Sequence, residues 1–328
     1  MTDVRPFSPT PMDLALVRRV ASAQVSMDTT TALTRGVNPL EAALLTVVPL
    51  ADLGFPTLIL RNDEAGYIGQ IRHRSGETRA HLASLAPAPD PASADQSPWL
   101  QLIDGLVKTA GRRGALMIVA EISETAYAVF ELLRKTGFVV YTRQTIYQYQ
   151  PGTLAARTLS GRVQLRPLTE RDIPATQSLY ASLVPQLVQQ IDPIQAQVTR
   201  NGTVSLVVES INDRRLVGHL AVIEGKSGVL VKPLLHPDVF DEAGAIISAA
   251  LPFWPKIERL PLYISVRAYQ EWLGTHLLEL GLAEIDRQVV FVKHTVARID
   301  TTAERLPAGV ETIMGSLVSN VEAKLEGD

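Results

Sequence analysis

The sequence predicts an α/β protein built from one α+β unit used twice, each copy a mixed, largely antiparallel sheet flanked by helices. Three observations predict it. The chain has 328 residues, long for a single core and suited to two domains of about 150 residues each. Residues 115–150 and 261–294 share one order: an apolar strand (ALMIVA, PLYISV), a helical stretch, a glycine stop and a strand-rich ending. Their markers also keep one register. Gly137 and Gly281 end the two helices, Arg143-Gln144 and Arg287-Gln288 open the last strands, and each pair is 144 residues apart.

The remaining elements follow in order. Residues 3–7 form a short first strand, and a helix covers roughly 11–24 with Met12, Leu16, Val20 and Ala23 on one face. Asn38-Pro39 starts a second helix, with asparagine as N-cap and proline at the first helical position. Residues 57–74 read as a strand, a turn rich in Asn, Asp and Gly, and a returning strand; 79–87 is a third strand. A Pro/Ala-rich loop then leads into a helix carrying Trp99, Leu102, Ile103, Leu106 and Ala110 at helical spacing. The second half repeats this order. Residues 161–183 give a strand and a helix whose start is marked by Thr169 and Asp172, 204–225 a strand-turn-strand element, and 229–237 a strand before the next helix. The expected divisions are 1–156, 157–299 and a tail of 300–328, with Arg157–Gly161 as linker. The tail is an amphipathic helix with no counterpart in the first half, expected to pack on its own chain or to join a homodimer.

Composition excludes several functions. A net charge of −3 offers no field for nucleic acid or anionic lipid, and no apolar stretch is suited to spanning a membrane. There is no cysteine, so disulfides, thiolate metal sites and cysteine nucleophiles are absent, which suits a cytoplasmic location. The six histidines are scattered, none at the i, i+4 spacing of a helical metal pair, so no metal is expected. Arg72-His73-Arg74, Arg112-Arg113 and Arg214-Arg215 read as solvated turns and strand ends, without the interleaved aromatics of a nucleic-acid platform.

The opening VQLRPLTERDI, the two turn-plus-glycine hairpins and the closing ELLRKTGFVVYTRQTIYQY resemble the GNAT superfamily of acyl-CoA-dependent N-acyltransferases, in two tandem copies over residues 3–296. The resemblance implies two sheets, each splayed between its fourth and fifth strands to admit the pantetheine of acetyl-CoA or another acyl-CoA, and each closed by a helix and a hairpin. It implies that the backbone around Leu85–Pro87 or Leu235–Pro237 would bond the pantetheine amides, with Gly244 in the phosphate loop. The acceptor would be an amine on a small molecule or a protein.

The sequence departs from that family's chemistry. Its phosphate loop has the pattern Arg/Gln-x-x-Gly-x-Gly/Ala, in which glycines and helix-end N–H groups cradle the diphosphate. Here the first half has Gln96-Ser97-Pro98-Trp99-Leu100-Gln101 and the second Asp241-Glu242-Ala243-Gly244-Ala245-Ile246. Pro98 has no N–H, Trp99 is bulky, and the acidic pair repels phosphate. The tyrosine acid expected four residues before each helix-ending glycine is Leu133 in one half and Leu277 in the other. His81 and His236, on or after the strands beside the gaps, are candidate bases for an amine or else structural histidines. Glu121 and Glu124 could hold an amine, with Glu124 also placed as a first-turn helix acid. Tyr127 and Tyr269 read as packed aromatics. Two functions therefore stand: an N-acyltransferase with atypical motifs, or a catalytically inactive GNAT-fold binding or interaction module.

Overall fold

The computed structural model of the chain describes residues 4–36, 38–45, 55–62, 65–74, 76–90, 95–149, 157–194 and 204–295. The tail after residue 295, with its predicted helix and dimer contact, lies outside them. The first half contributes β1 (Val4–Pro6), α1 (Pro11–Val20), β2 (Val25–Ser26), α2 (Thr29–Arg35), α3 (Pro39–Leu45), β3 (Thr57–Arg61), β4 (Gly66–Arg72), β5 (Arg79–Ala86), α4 (Ser97–Arg112), β6 (Met117–Ser123), α5 (Tyr127–Lys135) and β7 (Val139–Tyr149). The second contributes β8 (Val163–Pro167), α6 (Ile173–Leu183), α7 (Gln186–Ile191), β9 (Leu206–Ser210), β10 (Leu216–Glu224), β11 (Val229–Leu235), α8 (Ala243–Ala250), β12 (Leu262–Arg267), α9 (Leu273–Glu279) and β13 (Ala283–His294).

The local signals act as their chemistry requires. Thr10 caps α1 by accepting from the Asp13 N–H, and Asn38 accepts from Leu40 and Glu41 at the start of α3. Gly137 and Gly281 sit at φ 82° and 90°, in the left-handed region. There the Phe138 and Leu282 N–H groups reach back to the carbonyls of Leu133 and Leu277, both at 3.0 Å, which stops α5 and α9. Met12 departs from expectation and is exposed. Asp13 takes the buried place on α1, drawn in by Arg5 at 2.5 Å and Arg61 at 3.1 Å. Arg166 makes the equivalent pair with Asp172 in the second half, at 2.7 Å.

The two sheets expected are joined into one. Its order is β1-β3-β4-β5-β6-β13-β7-β12-β11-β10-β9-β8, with β2 added to β5. The order is a palindrome of the repeat, and only β5–β6 and β11–β12 run parallel. The centre joins the halves because the closing strands are exchanged. β13 pairs with β6 of the first half, β7 pairs with β12 of the second, and β7 and β13 pair with each other. Where a closing hairpin was expected, each half ends in one long strand. Side chains follow the backbone across. Phe291 of β13 lies in the first-half core with its ring 5.2 Å from that of Phe130, and Tyr147 of β7 lies in the second-half core.

Candidate functional site: two gaps and a shared cleft

In the first half β5 and β6 pair in parallel over Arg79–His81 and Met117–Val119 and then diverge. This opening is where the resemblance places pantetheine. The chain's own backbone fills it. Val25 and Ser26 pair with Leu85 and Ser84, the Met27 N–H donates to the Ala83 carbonyl at 2.8 Å, and the Glu121 N–H donates to the Met27 carbonyl at 2.9 Å. Met27 thus bridges the two diverging strands, and its side chain is fully buried. The mouth is closed as well. The Trp99 indole, 5% exposed, donates to the Pro87 carbonyl at 3.0 Å and packs edge-on against Tyr67. At the start of α4, where a diphosphate would need N–H groups, the Ser97 N–H is taken by the Asp95 carboxylate at 2.8 Å.

The second gap is built differently. β11 and β12 pair in parallel over Val229–Val231 and Leu262–Ile264 before diverging, and no strand among the described residues pairs into the opening. A buried side chain spans it: Gln270 donates through Nε2 to the Leu235 carbonyl at 2.8 Å. Two residues earlier on the same edge, Pro233 has no N–H to offer. Between the starts of α8 and α9, the rings of Phe240, Trp272 and His276 cluster, with Phe240 4.6 Å from His276 and 5.3 Å from Trp272. The linker straps the start of α8. Ser160 donates to Glu242 at 2.6 Å, and Arg157 pairs with Glu279 at 3.0 Å. A Cβ on Gly244 would stand 3.1 Å from Arg157 Nη1, so the guanidinium lies directly over that glycine.

Leu85, Pro87 and Leu235 therefore line gaps in which their backbone is already engaged, and Pro237 opens a 3₁₀ segment kinked at Val239, Pro237–Glu242. His236 stands apart from the other candidates. Its Nδ1 accepts from the Asp238 N–H at 3.2 Å and caps that turn. Tyr127 is exposed; Glu124 pairs with Arg143 at 3.2 Å.

His81 and Glu121 are brought to one place, a polar cleft where the halves meet. Glu121 Oε2 accepts the Thr29 N–H at the start of α2 at 2.9 Å, and its other oxygen lies 3.7 Å from Arg267. Arg72, predicted to be surface, pairs with Asp28 at 2.5 Å. Asp192, just after α7, accepts from Arg79 of the first half and from Arg267 of the second, the latter at 3.0 Å. Burial opposes charge on Asp192, but Arg267, Arg79 and Lys232 outweigh it and hold its pKa far below the usual carboxylate range. Burial, followed by the field of Arg72, pushes His81 well below the ordinary histidine value, so it is a neutral imidazole at pH 7. Sequence reasoning left Arg79, Asp192, Lys232, Arg267 and Tyr141 unassigned. The available signal was a charged residue inside an apolar strand, as in Val231-Lys232 and Val266-Arg267.

A second hollow of about 330 Å³ lies beside β2, lined by Ser26, Gln70 and Ser84 of the first half and reaching Lys226 of the second. Among the described residues no group of His, Asp and Glu could hold a metal ion, and no helix is long and apolar enough to cross a membrane.

Comparison with known proteins locates this architecture. No family model and no curated protein matches the sequence. Solved structures do match. A GCN5-related N-acetyltransferase from Sphaerobacter thermophilus superposes with a TM-score of 0.59 at 12% identity, over 89% of this chain and 96% of that one. A tandem GNAT protein from the clavulanic acid biosynthesis pathway, solved without AcCoA, superposes with a TM-score of 0.52 at 10% identity, over 90% and 99%. The chain has the tandem GNAT fold.

Proposed function

We propose that the chain is a tandem GNAT-fold binding protein whose first half has no acyl-CoA site. A general acyltransferase function is what the fold supports; the residues inside the gaps argue for binding without transfer. One observation carries the reading: Met27 occupies, with its own backbone N–H and C=O, the two strand edges that an acyl-CoA would have to bond. Displacing it would break both bonds and expose a fully buried methionine, a loss of several kcal/mol before any ligand contact is made.

Acyl transfer confined to the second half is the other reading, and two observations favour it. A single side chain rather than a backbone segment spans that gap, and the Arg157 guanidinium beside Gly244 supplies the cation that the acidic pair Asp241-Glu242 lacks.

Calorimetric titration of the full-length protein with acetyl-CoA and with free CoA decides between them. The binding-protein reading expects no heat and no thermal shift from either. Micromolar binding, about −8 kcal/mol, overturns it. Binding that is lost when Arg157 is changed to Glu places the cofactor in the second half.

A further inference from the structure

The cleft where the halves meet is left with more donors than its own acceptors use. It rests on the face of the central strands covered by α2 of the first half and α7 of the second. Facing it are four cations, Arg72, Arg79, Lys232 and Arg267, and three carboxylates, Asp28, Glu121 and Asp192. Arg72 is matched by Asp28, and Asp192 is shared between Arg79 and Arg267. The Tyr180 hydroxyl is also spent, on the Asp192 carbonyl.

What remains is specific. Arg267 Nη1, the Tyr141 hydroxyl and His81 Nδ1 are buried atoms with no hydrogen-bond partner. Lys232 Nζ has one contact, 3.3 Å from Thr30 Oγ1. Unmade hydrogen bonds on buried polar atoms are costly, and more so for charged groups. Two of these atoms, Arg267 Nη1 and the Tyr141 hydroxyl, are donors, and with an underused ammonium they describe an acceptor that the described residues do not supply. The cleft is reachable from solvent, since the side chains of Arg79 and Asp192 at its rim are 21% and 27% exposed.

We propose that this cleft is a binding site for a small carboxylate, held by Lys232 Nζ, Arg267 Nη1 and the Tyr141 hydroxyl. Beside Asp28, Glu121 and Asp192, a carboxylate monoanion brings less negative charge into the buried cleft than a phosphate dianion would. Arg267 offers an unpartnered Nη1, and the Tyr141 hydroxyl of β7 and the Lys232 ammonium of β11 each lie within the field of its guanidinium. Burial lowers the pKa of Lys232 despite its acidic neighbours, and a bound anion would raise it again. The site takes residues from both halves, so neither half could form it alone. The inference names the ligand class of the binding protein proposed above and rests on that reading.

The test uses the full-length protein at constant ionic strength, with acetate, lactate, L-glutamate and inorganic phosphate as probes in calorimetry and thermal melting. A saturable response to at least one carboxylate is expected, weakened about tenfold or more by Lys232→Gln. Tyr141→Phe removes only an unpartnered hydroxyl, so it should fold like the parent and weaken the same response about threefold or more. It keeps the test decisive if the lysine variant does not fold. No saturable response to any carboxylate, a response untouched by both variants, or a response to phosphate alone overturns the proposal. Acetyl-CoA is a separate ligand, so failure of the functional reading shows as CoA binding while failure of this site shows in the carboxylate titrations.

Discussion

Gln144 and Gln288 face each other across the middle of the sheet, with Gln144 Nε2 donating to Gln288 Oε1 at 2.7 Å. They are equivalent residues of the two copies, so the pseudo-two-fold axis passes between them. Each is also tied to its surroundings. The Ser265 hydroxyl donates to Gln144 Oε1 at 3.0 Å, and the Thr29 hydroxyl to Gln288 Oε1 at 2.7 Å. The pair ties β7 to β13 at the middle of the ladder, where the two halves join.

Replacing Gln144 by Leu strands the buried Ser265 hydroxyl and removes one donor to Gln288. Urea denaturation should show a loss of about 1–3 kcal/mol for the single variant. Changing both glutamines to Leu should cost less than twice that, because the amide–amide bond is lost only once.

The exchanged strands make the halves one cooperative unit. Phe291→Ala, in β13 but inside the first-half core, should cost about 3–5 kcal/mol and shift a single transition. Two transitions, with only the second-half one moved, would show that the exchange does not couple the halves.

His219 sets an acid limit on stability. It is buried on β10, its Nε2 has no partner, and burial pulls its pKa down to about 4. An unfolded histidine titrates near 6.5, so between about pH 6.5 and 4 the unfolded chain holds the extra proton. The stability is therefore fully present above about pH 6.5 and declines as the pH falls towards 4, by on the order of 3 kcal/mol. His81 acts in the same direction. Melting temperature against pH should show this slope, and His219→Leu should flatten it.

Trp99 closes the mouth of the first gap, and Met27 bridges the diverging strands independently of it. Trp99→Ala should destabilise by about 3–5 kcal/mol, yet leave acetyl-CoA without measurable binding to the first half, because Met27 still bridges β5 and β6. A variant with Arg157→Glu that gains CoA binding on adding Trp99→Ala would show that the indole was the barrier.

Much of this fold is written locally. Gly137, Gly281 and Asn38 act through bonds to residues a few positions away, and the repeat shows in the spacing of the two Arg-Gln pairs, so the order of elements and the repeat could be read from the chain. The exchange of closing strands could not. β7 and β13 carry similar apolar patterns, and nothing in either strand distinguishes its own half's fifth strand from the other's. The filling of the first gap was equally hidden. Val25, Ser26 and Met27 are too few to show strand periodicity, and their role depends on Ala83 and Glu121, far along the chain. The cleft gave a partial signal. His81 and Glu121 stood out in apolar strands, but their partners Asp192, Lys232 and Arg267 come from the other copy, and pairing between copies is set by topology rather than spacing.

The exchange also imposes an order on how the molecule comes into being. A ribosome releases β6 long before β13, the strand that must lie beside it. During that interval the first half holds an open sheet edge and a core without Phe291, so it can assemble only a provisional structure while the second half is being made. The central strands can zip together only after residue 294 has left the exit tunnel. The last of the described strands completes the first-made half, and a nascent chain that stalls before it remains unfinished at its centre.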